Sequence, residues 1–217
     1  GNSTVTKTYL LTRPEHDDTM HYLSNWSKGT IDAAKKAGIK VLDLNREKAT
    51  KKEVEGRLKD LSPILVVLNG HGDENTVTGH QNEPIIIYGE NEKLLKSKIV
   101  YAISCQSAKV LGQKSVDAGA ISYNGYNDDF VFFYEPNMIS KPLNDKTAQM
   151  FLEPSKIFIE TLIKGNTVEE ALKRAKDKLR SNINRLLVSS EADANMVRYL
   201  LWDLNHFVSR GNLNATI

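Results

Sequence analysis

The chain has 217 residues, of which 40% are hydrophobic and 26% charged, and its net charge is +2. That length supports one domain with a full core. Near-neutral, dispersed charge excludes the electrostatic footprint of a nucleic-acid binder or an acidic-membrane binder. One cysteine excludes an internal disulfide and a cysteine metal cluster, and no apolar run approaches the ~20 residues of a membrane span. The polar start, 1–8, lacks the apolar stretch of a signal peptide, which reads as a cytoplasmic chain unless a leader has been lost.

In chain order, Lys7 to Leu11 predicts a short apolar strand closed by Thr12, Arg13 and Pro14. A helix follows from about Thr19 to Lys36, with Gly38 as its stop, and then a strand from Ile39 to Leu44. Thr50 and Glu53 have capping-box spacing and open a helix that runs from Lys51 to about Asp60. Ile64 to Leu68 is a continuous apolar run between Pro63 and Asn69-Gly70, the pattern of a parallel strand buried on both faces. A small strand or hairpin arm at Ile85 to Tyr88, a core strand at Ile99 to Ile103, a helix at about Ser107 to Asp117 and a strand at Ala120 to Tyr123 come next.

The pattern then turns irregular from about 125 to 153, and long connections in compact domains tend to be functional. Pro154 to Lys164 reads as a helix ended by Gly165, and Thr167 with Glu170 caps a helix from Val168 to about Leu187. Asn195 to Val208 is a last helical or strand segment. Strands alternating with helices predict a single α/β domain over 1–217, with a mostly parallel central sheet and helices on both faces.

In such a sheet, ligands bind beyond the carboxyl ends of the strands. Two strands end in chemically loaded residues, one as Asn69-Gly70-His71-Gly72 and the other as Ser104-Cys105-Gln106-Ser107. If these strands are neighbours, about 4.8 Å apart, the imidazole and the thiol leave the sheet at one edge. The imidazole can then serve as base or counter-cation for the thiolate and later protonate a departing amine. The N–H groups of Gly72 and Cys105 are candidates for an oxyanion hole.

These two motifs, in this order and at these strand ends, resemble those of the caspase–gingipain clan of cysteine peptidases. The nearest likeness is to its gingipain, clostripain and CHAT-type members. Phe158 to Ala171, with Leu162, Gly165, Val168, Glu169 and Ala171, is similar to the helix pair near the end of CHAT and gingipain-like domains. The caspase pentapeptide is absent, so a caspase proper is not implied.

The resemblance implies a three-layer caspase-like fold, a His71/Cys105 dyad and a protein or peptide substrate, without cofactor or metal. It also implies acidic residues in a pocket for the side chain before the scissile bond. Asp17 and Asp18 after the first strand, and Asp128 and Asp129 after a later one, are the candidates for basic specificity. Arg13 would instead suit an acidic side chain.

Asp18 before a helix would also serve as an N-cap. Asp73, Glu74 or Glu83 could orient His71, and His80 reads as a surface residue. His16, His21 and His206 show no metal-ligand spacing. Lys141 and Lys146 in the irregular segment are candidates for self-cleavage. The rival function is a non-catalytic caspase-like domain that acts as a protein-interaction or regulatory module. Nucleic acid and membrane are not expected as partners, and the oligomeric state stays open.

Overall fold

The computed structural model describes residues 5–189 and 194–217. Chain order is β1 (Thr8–Arg13), α1 (Asp18–Lys36), β2 (Lys40–Asn45), α2 (Lys51–Leu61), β3 (Leu65–Asn69), β4 (Thr76–Thr78), β5 (Pro84–Ile87) and β6 (Ile99–Ile103). It continues with α3 (Leu111–Asp117), β7 (Ser122–Tyr126), α4 (Lys146–Ile163), α5 (Val168–Val188), α6 (Ala194–His206) and β8 (Phe207–Gly211). Six strands form one sheet in the order β2-β1-β3-β6-β7-β8, all parallel except β8, which runs antiparallel to β7. β4 and β5 form a separate antiparallel hairpin.

Successive residues of a strand point to opposite faces, and the core splits accordingly. Tyr9, Leu11, Leu65, Val67, Ile99 and Tyr101 pack with buried residues of α1, α4, α5 and α6. Leu10, Val66, Leu68, Val100 and Ala102 pack with α2, α3 and the β4–β5 hairpin. The architecture is therefore three-layer α/β, with both faces of the sheet covered. That is why β3 and β6 read as unbroken apolar runs. Among the described residues, no helix is long and apolar enough to cross a membrane.

The local capping signals operate where the spacing placed them. Thr50 Oγ1 accepts from Glu53 N at 3.3 Å, and Thr167 Oγ1 accepts from Glu170 N at 3.1 Å. Gly38 takes φ +76° just after α1, a left-handed turn that glycine adopts without steric cost.

Several boundaries differ from the sequence expectation. β1 continues through Thr12 and Arg13. The guanidinium of Arg13 is buried but donates twice to Asp43 on β2 at 2.8 Å and once to Ser24 Oγ at 2.9 Å. The helix expected from Ser107 begins only at Leu111, and the strand or hairpin arm expected at Ile85 to Tyr88 is β5, whose hairpin partner β4 carries no sequence signal of its own. The irregular stretch is 127–145, because α4 starts at Lys146 and carries Pro154 in its interior.

A proline inside a helix removes the N–H that would bond the carbonyl four residues earlier. Here that carbonyl is Met150 O, and it accepts instead from Asn182 Nδ2 of α5 at 2.9 Å. Asn182 is 1% exposed, so its amide replaces a bond that water does not reach. Asn182→Leu, similar in volume, should lower unfolding free energy by about 1–3 kcal/mol, since it leaves a buried acceptor unpaired. Urea denaturation checks this, and a change below about 0.5 kcal/mol would remove Asn182 from the account of α4.

Candidate active site

β3 and β6 are direct neighbours, with Asn69 opposite Ile103. Gly70 N continues the ladder to Ile103 O at 3.3 Å, so His71 and Cys105 each stand two residues beyond the last pair. The two loops then touch through backbone. A Cβ on Gly72 would lie 2.9 Å from Cys105 O, 2.9 Å from Thr76 O and 3.0 Å from Ser104 Cβ. Glycine is needed here for close approach.

Gly72 forms an isolated antiparallel bridge with Val77. Around it Asp73 N bonds Thr76 O at 3.0 Å and Thr78 N bonds His71 O at 2.9 Å. In that pattern Gly72 is the non-hydrogen-bonded member, so its N–H turns away from the hairpin.

The His71 imidazole is held by a residue from another element. Nε2 lies 2.7 Å from Asp17 Oδ2, and Asp17 Oδ1 accepts from Met20 N at 2.8 Å as the N-cap of α1. The expectation that Asp18 caps this helix is thus corrected to Asp17. Partial burial works to raise the Asp17 carboxyl. The Met20 N–H and the His71 ring outweigh it and hold the carboxyl below its usual range.

The acids nearer His71 in sequence have other partners. Asp73 accepts from Asn75 N at 2.8 Å, Glu74 pairs with Lys109 at 3.0 Å, and Glu83 accepts from Lys51 N at 3.3 Å. Sequence reasoning offers Asp17 as a pocket acid, or else as a solvated loop residue or helix N-cap, and not as the partner of His71. Its pairing with His71 spans 54 positions of chain and needs the sheet order to be known.

Cys105 sits in a tight turn tied by hydroxyls. Ser104 Oγ and Ser107 Oγ are 2.8 Å apart, and Tyr123 OH donates to Ser107 Oγ at 2.9 Å. Gln106 has φ +63°, a strained value for a residue with a long side chain. Its backbone N–H bonds Asp128 O at 2.9 Å and its side chain donates to Asp129 Oδ1 at 2.9 Å. The thiol is half-buried, with Phe130 O 3.9 Å from Sγ. Among the described residues, no hydrogen bond joins the thiol to the imidazole.

Burial pushes the Cys105 thiol up, and the carboxylates of Asp129 and Asp203 push it further. Asp203, on α6, was not singled out from the sequence. It is 1% exposed, takes Val131 N on Oδ1 at 3.0 Å, and leaves Oδ2 buried without a partner. Burial raises its carboxyl well above the usual range.

A raised thiol pKa means that alkylation by iodoacetamide should gain rate with pH up to a midpoint above that of an exposed cysteine. Asp129→Asn keeps the acceptor for Gln106 but removes the charge, so the midpoint should move down. A midpoint that stays put or rises would show that Asp129 does not act on the thiol.

The remaining candidates separate. Asp18 accepts from Tyr134 OH at 3.2 Å at the start of α1. Asp128 Oδ1 accepts from Asp129 N at 2.8 Å, and its Oδ2 is 4.0 Å from His206 Nε2. Arg13, considered for an acidic substrate, is committed to Asp43 and Ser24. His80, read as a surface residue, is partly buried, with Nδ1 shielded from solvent and unpartnered. His16 Nε2 lies 3.6 Å from Asp17 Oδ2, so His16 does stand beside an acid that the sequence reading had left apart from it.

No protein-family model and no curated protein sequence matches the chain.

Proposed function

We propose that the chain is a cysteine-type endopeptidase that uses His71 and Cys105. The observation that carries this reading is the delivery of both residues from adjacent parallel strands to one sheet edge, through loops in backbone contact. His71, held by Asp17, takes the thiol proton as substrate enters. The thiolate then attacks the scissile carbonyl carbon, forming a C–S bond and an oxyanion that the Gly72 and Cys105 N–H groups receive. The C–N bond breaks as His71 returns the proton to the leaving amine. Water, deprotonated by the same imidazole, attacks the thioester and releases the acid and the thiol.

A thiol kept protonated at rest and a dyad joined by no hydrogen bond fit a site in which the substrate lies between the two groups. Catalytic contacts often tighten only in the complex. A reducing cytoplasm suits a mechanism that needs a free thiol.

Asp129, bonded to the residue after Cys105, is the best placed of the four acids to meet a basic side chain before the scissile bond. Asp17 already has both oxygens engaged. Fluorogenic peptides that differ only at that side chain test the reading. Cleavage after Arg or Lys is expected, with Asp129→Asn lowering kcat/KM for these peptides. Preference for Asp would reject basic specificity, and no cleavage of any peptide would favour the alternative, a non-catalytic interaction domain. The neutral, half-buried thiol is the one observation on that side.

A further inference from the structure

The same edge of the sheet carries a second arrangement, which shares Asp17 and His71 with the peptidase cycle and adds His16, a residue that cycle does not use. His16, Asp17 and His71 each offer a ligand atom within 4.8 Å of the other two. Asp17 Oδ2 stands at the centre, 2.7 Å from His71 Nε2 and 3.6 Å from His16 Nε2. Donors bound at about 2.0–2.1 Å to a tetrahedral ion lie roughly 3.3 Å apart, so the three need only small shifts to close on one.

Their supports are already in place. Asp17 is fixed by Met20 N through its other oxygen, and the His71 carbonyl is pinned by Thr78 N and by Thr78 Oγ1. The His16 side chain is only 12% exposed, and its ring lies edge-on to those of His71 and His80 at 6.2 and 6.0 Å. His16 Nδ1 is buried with no partner, so the polar contacts of the ring fall on its Nε2 edge. There Asn82 Oδ1 lies at 3.0 Å, an oxygen able to fill a fourth position or to yield it to water.

We infer that His16, Asp17 and His71 form a binding site for one zinc-class divalent cation, which on binding withdraws His71 from catalysis. Two imidazoles and one carboxylate suit zinc and its late first-row neighbours. Magnesium and calcium require more oxygen ligands than this cluster offers. The cation takes the Nε2–Asp17 contact for itself, so the enzyme is off while the metal is bound. The binding half stands on the geometry alone, and the inhibitory half rests on the proposed peptidase function.

The test is calorimetric titration of zinc chloride into the full chain carrying Cys105→Ala, which removes the thiol as a competing ligand. One equivalent is expected to bind with micromolar or tighter affinity. His16→Ala should weaken binding at least about tenfold, and magnesium or calcium should give no heat. Absence of zinc binding, or unchanged affinity in His16→Ala, overturns the site. If His16→Ala does not fold, imidazole nitrogen resonances of the Cys105→Ala chain decide. Zinc-induced shifts at His16 and His71 support the site, and shifts confined to His21 or His206 overturn it.

With Cys105 intact, zinc should stop peptide hydrolysis, with an inhibition constant at least about tenfold higher in His16→Ala. Equal inhibition constants overturn the inhibitory half. Zinc binding as described in a chain that hydrolyses no peptide leaves the site standing and removes the peptidase reading.

Discussion

Cys105→Ala should reduce kcat/KM for a cleaved peptide by about 1,000-fold or more, and His71→Ala should do nearly the same. Each removes a partner without which the other has no chemistry to perform. Alanine at 105 leaves no nucleophile. Alanine at 71 leaves a thiol that burial and neighbouring carboxylates keep protonated. The double variant should therefore be little worse than either single one, because groups that act as a unit lose their effect together. Steady-state kinetics on the three variants, with circular dichroism to verify folding, gives the comparison. Losses that multiply in the double variant would mean that the two residues act independently.

Asp145→Ala should be the most destabilising single substitution considered, at about 3–5 kcal/mol. Asp145 is fully buried and accepts from three donors: Tyr22 OH at 2.6 Å, Glu135 N at 2.8 Å and Ala148 N at 3.0 Å. It caps α4, anchors α1 through Tyr22, and closes the irregular stretch that runs past Asp129 and Phe130 beside the thiol. Alanine leaves all three donors without this acceptor. Asp145→Asn retains acceptor capacity on one oxygen and should recover part of the loss. Denaturant unfolding of the pair checks this, and a loss below about 1 kcal/mol for alanine would show that the irregular stretch is held by its aromatic contacts instead.

The elements that were legible in the sequence are those whose causes are local. Continuous apolar runs bounded by Pro63 and by Asn69-Gly70 marked β3, and Ile99 to Ile103 marked β6, because a strand covered on both faces has no polar positions. Thr50 and Thr167 announced α2 and α5 through capping boxes. Where the cause lies far along the chain, the reading failed or stayed incomplete. Pro154 looked like a helix start because the amide that rescues Met150 O belongs to Asn182 in the next helix. The three-residue β4 is too short to show a period and exists through its pairing with β5.

At the site, the residues were visible and their pairings were not. His71 and Cys105 stood out at strand ends, and β3 beside β6 brings their loops into contact. The carboxylate on His71 comes from Asp17 at the start of α1. Asp203 reaches the neighbourhood of Cys105 only because α6 packs back over Val131. His16 had no visible role until the β1–α1 loop met the turn after β3.

The most direct measurement is intact-mass analysis after treatment with a peptidyl electrophile designed to trap a catalytic thiol. One adduct on Cys105, formed rapidly in the unsubstituted protein and lost on His71→Ala, is the predicted result. Equal labelling with and without His71 would show that the imidazole does not serve the thiol and would contradict the shared-edge account.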